Sequence, residues 1–94
     1  MYTRHTTFPL KPNSASQAEQ IGQKYGKLLH ALPGHVSTVM VVDDSTFTSV
    51  STWDTQEHAE AVRQTRDDAQ NELGDLMSGP PATVISATLV HDIA

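Results

Sequence analysis

Apolar residues recur at spacings of three and four between residues 14 and 32, which is typical of a helix with one buried face. These positions are Ala18, Ile21, Tyr25, Leu28, Leu29 and Leu32. Ser14 and Gln17 are spaced as in a capping box, and Pro33-Gly34 ends the pattern. The sequence therefore predicts a first helix that begins at Asn13 or Ser14 and ends at Leu32.

Four other segments have the β-branched or alternating composition of strands. They are Tyr2–Phe8, His35–Asp43, Thr46–Trp53 and Thr83–His91. The tripeptide Asp43-Asp44-Ser45 is typical of a turn, so the second and third strands are predicted to pair as an antiparallel hairpin.

A second helix is predicted between the third and fourth strands. Asp54 or Thr55 can cap it, and its pattern continues from Gln56 to about Leu73, with an extension to Met77 left open. The resulting order is β-α-β-β-α-β. It predicts one α+β, ferredoxin-like domain over residues 1–94, in which two helices cover one face of a four-stranded antiparallel sheet.

The uncovered face of that sheet is predicted to be apolar, because the second and fourth strands carry apolar residues on both faces. A chain of 94 residues buries only about 60 to 65% of the surface that its unfolded form exposes, so its own core is thin. Both arguments favour a homodimer in which the two open faces meet.

Composition removes several classes of function. The absence of cysteine excludes disulfides, cysteine-based zinc sites, iron–sulfur clusters and thiol nucleophiles. A net charge of -5 disfavours binding to a negatively charged phosphate backbone, so nucleic acid is not an expected partner. The longest apolar run, Val39–Val42, is far shorter than the roughly 18 residues of a membrane span, and the N-terminus lacks a signal-peptide core. We expect a cytoplasmic protein with no membrane contact.

Three short motifs resemble those of a known family. They are Leu32-Pro33-Gly34-His35, the segment Ser51-Thr52-Trp53-Asp54-Thr55-Gln56-Glu57-His58-Ala59, and Pro80-Pro81 before the last strand. In these motifs the chain resembles the dimeric α/β-barrel superfamily and, within it, the antibiotic biosynthesis monooxygenase-like domains. The resemblance implies a homodimer with a pocket between the helices and the sheet of each subunit. It also implies oxidation of aromatic phenols by molecular oxygen, with no metal or flavin cofactor.

The resemblance and the third strand together indicate a site. Trp53 matches a pocket-lining tryptophan of the family, and Ser49 stands where the family has an asparagine. Ser49, Ser51 and Trp53 also share one strand face, where two hydroxyls and an indole are unusual for plain core. We predict that these three residues and Tyr25 bind a small aromatic substrate. His5 is the predicted catalytic residue and would assist deprotonation of the substrate.

The predicted function is therefore a cofactor-independent monooxygenase that acts on a small aromatic or quinol-like compound. The alternative is a non-enzymatic, small-ligand-binding or stress-responsive dimer, because Ser49 and Ala59 replace an asparagine and an aromatic residue of the family. The five histidines show no metal-ligand spacing, so no metal site is expected. Arg4 fits either an anionic ligand or an ion pair between subunits, and the sequence leaves both open.

Overall fold

A computed structural model describes residues 1–93 of the chain. Its strands are β1 (Tyr2–Pro9), β2 (His35–Val42), β3 (Thr46–Trp53) and β4 (Ala82–Ala87), and its helices are α1 (Ala15–His30), α2 (Gln56–Glu60) and α3 (Arg63–Leu73). The sheet order is β2-β3-β1-β4, with every neighbouring pair antiparallel. This arrangement confirms the predicted α+β, ferredoxin-like fold.

The core lies between the helices and one face of the sheet. One cluster of buried apolar side chains is centred on Phe8, Phe47 and Leu73, and a second is centred on Trp53, Leu29 and Val62. Helix α1 lies close to the sheet at Gly22, where a Cβ atom would lie 2.5 Å from the ring of Phe47. The strands thus present side chains of alternate residues to the helices, as the hydrophobic pattern predicted.

The first helix is shorter than predicted at its C-terminal end. It begins at Ala15 with Ser14 as N-cap, but the Ser14 side chain forms no capping hydrogen bond in residues 1–93, so the predicted capping box is wrong. The helix ends at His30, and the amides of Ala31 and Leu32 bond carbonyls only three residues back. Such tight bonds are typical of a last helical turn.

The second helix, predicted as one segment from Gln56 to Leu73, is divided by two residues between α2 and α3. In an unbroken helix the carbonyl of Ala59 would accept from the amide of Arg63. Here the buried guanidinium of Arg4 donates to that carbonyl, with an Nη1–O distance of 3.2 Å. Val62, at the break, packs into the cluster around Trp53. Tertiary contacts therefore set a boundary that helical periodicity does not show.

The last strand ends four residues before its predicted limit at His91, because the neighbouring strand β1 has no further residue to pair with it. Ala87 pairs with Tyr2, the first residue of β1, and one further bond joins the Thr88 amide to the Met1 carbonyl. The chain then turns onto the open face of the sheet. There the hydroxyl of Thr88 bonds that of Thr3, and Nε2 of His91 lies 2.9 Å from the hydroxyl of Ser37 on β2. Residues 88–91 thus cross one end of this face.

The rest of the open face carries exposed apolar side chains beside polar ones. Val39, Val41 and Val84 are 59%, 57% and 61% exposed, as the predicted apolar surface requires, whereas His5, Thr7 and Thr48 on the two central strands are polar. None of the helices within residues 1–93 combines the length and the hydropathy that a membrane span requires.

Candidate functional site

A cavity lies between the covered face of the sheet and helices α1 and α3. Four side chains of its floor stand side by side, because Arg4 pairs with Ser51 and Thr6 pairs with Ser49 in the register of β1 and β3. Sixteen residues line the cavity. Most of them are apolar, and they include aromatic rings from both the sheet and α1. The space between the lining atoms, mouth included, is about 480 Å³, of which about 40 Å³ admits the centre of a water molecule. A water needs about 10 to 15 Å³ by that measure, so the cavity takes small groups.

The two serines of the floor carry hydroxyls that can meet a ligand. The Ser51 hydroxyl accepts the indole N–H of Trp53 at 2.8 Å, which leaves its own hydrogen for donation. Ser49 also lines the cavity and is only half-buried. Thr6 shares a hydrogen bond of 3.0 Å with Thr83 on β4. The floor can therefore orient a polar group of a ligand through two serines.

Trp53 lies behind this floor and is outside the cavity lining within residues 1–93. Its side chain is completely buried, and its ring packs edge-on against His35 with a centroid distance of 5.2 Å. Burial, and then the neighbouring His30, lower the pKa of His35, so this histidine favours the neutral form. Trp53 thus serves the core and supports the site through the hydroxyl of Ser51.

Tyr25 contributes its ring to the cavity, while its hydroxyl bonds Glu72 of α3. That hydrogen bond, with burial and the carboxylate charge, raises the pKa of Tyr25 to about 12. The same bond, with one from Lys24 at 2.9 Å, lowers the pKa of Glu72. The Tyr25 phenol therefore stays protonated at neutral pH and acts as a wall of the cavity, not as a base.

Two arginines reach the cavity from different elements. Arg4 of β1 is 6% exposed, and Arg66 of α3 extends over the same space. Arg66 was not predicted, although a signal was present. It fills the gap in the inner helical stripe of Val62, Ala69 and Leu73, at i+4 from the first of these residues. The adjacent Asp67, whose carboxylate lies 2.9 Å from Nη2 of Arg66, made that part of the helix resemble a solvated charged row.

The structure brings together three of the five predicted site residues, Tyr25, Ser49 and Ser51. His5 is exposed and lies on the open face of the sheet, paired with Val50 and opposite in orientation to Arg4 and Thr6. Its predicted catalytic role stays a prediction, and the placement does not connect it with this cavity. Within residues 1–93, no three histidine, aspartate or glutamate side chains converge as metal ligands would.

Comparison with known proteins identifies the fold. No family model matches the chain, and no curated protein matches it significantly. Solved structures do match over nearly the whole length. A proposed antibiotic biosynthesis monooxygenase from Nitrosomonas europaea is 17% identical, with a TM-score of 0.82 over 96% of this chain and 100% of that one. A protein of unknown function from the same organism is 16% identical, with a TM-score of 0.83 over 99% of this chain and 93% of that one.

A third structural neighbour has a stated activity. SnoaB, a cofactor-independent oxygenase from Streptomyces nogalater, is 11% identical, with a TM-score of 0.74 over 96% of this chain and 94% of that one. The chain therefore has the fold of these structures, two of which are named as monooxygenase or oxygenase, and this confirms the resemblance found in the sequence at the level of the fold. Similarity at these identities defines the architecture, whereas activity depends on the side chains of the site.

Proposed function

We propose that this protein is a cofactor-independent monooxygenase that acts on a small aromatic or quinol-like compound as a homodimer. The observation that carries the proposal is the cavity between sheet and helices, whose mostly apolar lining includes the hydroxyls of Ser49 and Ser51 beside two arginines. The likeness to SnoaB supports the same reaction class. Apolar walls suit an aromatic ring, and convergent hydroxyls orient its oxygen.

In this mechanism the deprotonated substrate supplies the electrons. Its anion transfers them to molecular oxygen, one oxygen atom enters the substrate as a carbonyl in place of two hydrogens, and the other leaves as water. The protein's part is to bind and orient the anion and to keep bulk water away from it. The serine hydroxyls donate to the substrate oxygen as negative charge forms on it.

Oxygen uptake tests the proposal. Purified protein should consume oxygen with small phenols that carry a hydrogen para to the hydroxyl, and should form one quinone and one water per oxygen molecule. Ser49→Ala should slow turnover by about tenfold, the usual order for one lost hydrogen bond to a charged group. Thr48→Ala is the matched control, because Thr48 is the neighbouring residue on the opposite face of β3. Wild-type protein that takes up no oxygen with this panel would refute the enzymatic function.

The second candidate is a protein that binds a small ligand without turning it over. Ser49 favours it, since a short hydroxyl replaces the amide that the resemblance implies at this position. Fluorescence titration separates the two functions. A ligand that binds the cavity should perturb Trp53 through the Ser51 hydroxyl, to which its indole donates at 2.8 Å. A fluorescence change without oxygen uptake would establish the binder.

A further inference from the structure

Two arginine side chains that line the cavity have N–H groups without a hydrogen-bond partner in the described residues. Arg4 is 6% exposed, and one of its Nη groups donates to the carbonyl of Ala59. The Nη2 group of Arg66 pairs with Asp67 at 2.9 Å, and 23% of the Arg66 side chain is exposed. The Nε atoms of both arginines are buried and have no hydrogen-bond partner within residues 1–93.

Two buried guanidiniums with unpaired donors lower the stability of the fold unless an anion or another acceptor binds them. A buried polar group without a partner costs free energy, and a buried charge costs more. Burial, and then the charge of Arg66, lower the pKa of Arg4, yet an arginine stays protonated at neutral pH. Asp67 lies outside the cavity lining and neutralises part of the charge of Arg66. Among the lining residues that the structure describes, none is an aspartate or a glutamate. The cavity is therefore locally cationic in a chain of net charge -5.

The remaining lining shows what kind of anion fits. Phe8, Phe47 and Leu29 provide apolar surface in the same cavity as the two guanidiniums. A hydrated inorganic anion gains little from such walls, whereas an organic anion buries its apolar body against them. Guanidinium groups bind a planar, delocalised oxyanion through paired N–H donors.

We propose that Arg4 and Arg66 together bind the oxyanion of a small aromatic acid, a carboxylate or a phenolate, whose ring occupies the apolar part of the cavity. This inference rests on the proposed function and deepens it, because it names the two residues that hold the anion in the same site. It requires binding only, and a ligand that is never oxidised satisfies it.

Isothermal titration calorimetry at neutral pH provides the test. Benzoate and 4-nitrophenolate represent the two sources of the oxyanion, benzamide is the neutral counterpart of benzoate, and inorganic phosphate is the anion without an apolar body. We expect both organic anions to bind at least about tenfold more tightly than benzamide and phosphate, since a charge-assisted hydrogen bond contributes that much. The tighter of the two anions shows whether the site prefers a carboxylate or a phenolate.

Variants assign the binding to the arginines. Arg66→Gln should weaken benzoate binding by at least about tenfold and leave benzamide binding unchanged. Arg63→Gln is the matched control, because Arg63 is an exposed cation of the same helix outside the cavity lining; its effect should stay below about twofold. Arg4→Gln should act like Arg66→Gln, and circular dichroism checks that it folds. If Arg4→Gln does not fold, the Arg66→Gln measurement decides the inference.

Four results would overturn the inference. Two concern the ligand: equal affinity for benzoate and benzamide, and tighter binding of phosphate than of either organic anion. The others are an Arg66→Gln protein that binds benzoate as the wild type does, and the absence of any benzoate or nitrophenolate binding. Failure of oxygen uptake alone affects only the proposed reaction, so the two proposals are tested separately.

Discussion

Ser51 and Trp53 act as one unit, because the serine oxygen accepts the indole N–H at the cavity floor. We expect Ser51→Ala to lower the free energy of unfolding by about 1 to 3 kcal/mol, since it leaves a buried donor without a partner. Trp53→Phe should cost a similar amount through lost packing, about 1 to 3 kcal/mol. The double variant should cost about 1 kcal/mol less than the sum, because the phenyl ring has no donor to satisfy.

Urea denaturation of the four proteins measures this coupling. Ser49→Ala and its combination with Trp53→Phe serve as the control cycle, since Ser49 lines the same cavity but is not the indole's partner. Strict additivity in the Ser51 cycle would show that the hydrogen bond contributes nothing to stability.

Gly22 and Gly26 lie one turn apart on α1, yet only one of them has no room for a methyl group. A Cβ at Gly22 would lie 2.5 and 2.7 Å from two ring atoms of Phe47, whereas a Cβ at Gly26 would meet only Met40 at 3.5 and 3.7 Å. We expect Gly22→Ala to destabilise by about 1 to 3 kcal/mol. Gly26→Ala should instead stabilise by about 0.5 to 1 kcal/mol through helix propensity.

Thermal or urea unfolding of the two variants decides this prediction. If both substitutions shift stability in the same direction, the close approach of α1 to Phe47 is not the controlling factor. Relief of the Gly22→Ala defect by a second change, Phe47→Leu, would confirm the contact directly, because Phe47 supplies both of the nearest atoms.

At the residue scale, the sequence predicted which serines lie on the cavity floor, but not that Trp53 is buried beneath them. Strand alternation correctly placed Ser49 and Ser51 on the covered face of β3. The same alternation placed Trp53 there, but it cannot show that the indole lies behind the serine. Arg66 was missed because a charged residue on an apolar stripe resembles a solvated one until a buried partner element is known.

At the scale of elements, the turn between β2 and β3 depends on one carboxylate. Asp43 accepts hydrogen bonds from the amides of Ser45 and Thr46, each at 2.8 Å, and these bonds lower the pKa of Asp43 below its model-peptide value of 3.8. The native state therefore favours the charged carboxylate. The associated stability is complete above the unfolded pKa and is lost as pH falls through the lower folded pKa.

Asp43→Asn should flatten this part of the acid unfolding curve. The amide oxygen can still accept hydrogen bonds, so the variant should fold at neutral pH with slightly reduced stability and show a shallower loss of stability below about pH 4. Asp44→Asn is the control, since Asp44 forms no side-chain hydrogen bond in the described part of the chain. Superimposable acid curves for wild type and Asp43→Asn would contradict the assignment.

The bounds of the elements were predictable only where local signals set them. The strand β3 ends at Trp53 as predicted, because Asp54 and Thr55 carry the turn and capping chemistry of the next helix. The break before α3 and the early end of β4 depend on Arg4 and Tyr2, which are more than fifty residues away in sequence. Periodicity within a window contains no information about such contacts.

At the scale of the whole molecule, the apolar open face predicts self-association. We expect wild-type protein to sediment at twice the mass of one 10.2 kDa chain at micromolar concentration. Val41→Lys should shift the protein towards the monomer, because it places a charge on the open face through which the proposed dimer would pack. Leu28→Lys is the control, since Leu28 is 48% exposed on helix α1, on the other side of the sheet. A wild-type monomer at that concentration would exclude the dimer.

The guanidinium of Arg4 joins the cavity floor to the carbonyl of Ala59 at the break between α2 and α3. A compound held by Arg4 is therefore connected to the junction of two helices, and occupancy should raise the melting temperature of the entire chain. A chemical library can thus be ranked by the melting temperature that each compound confers on the protein, with no assay of turnover.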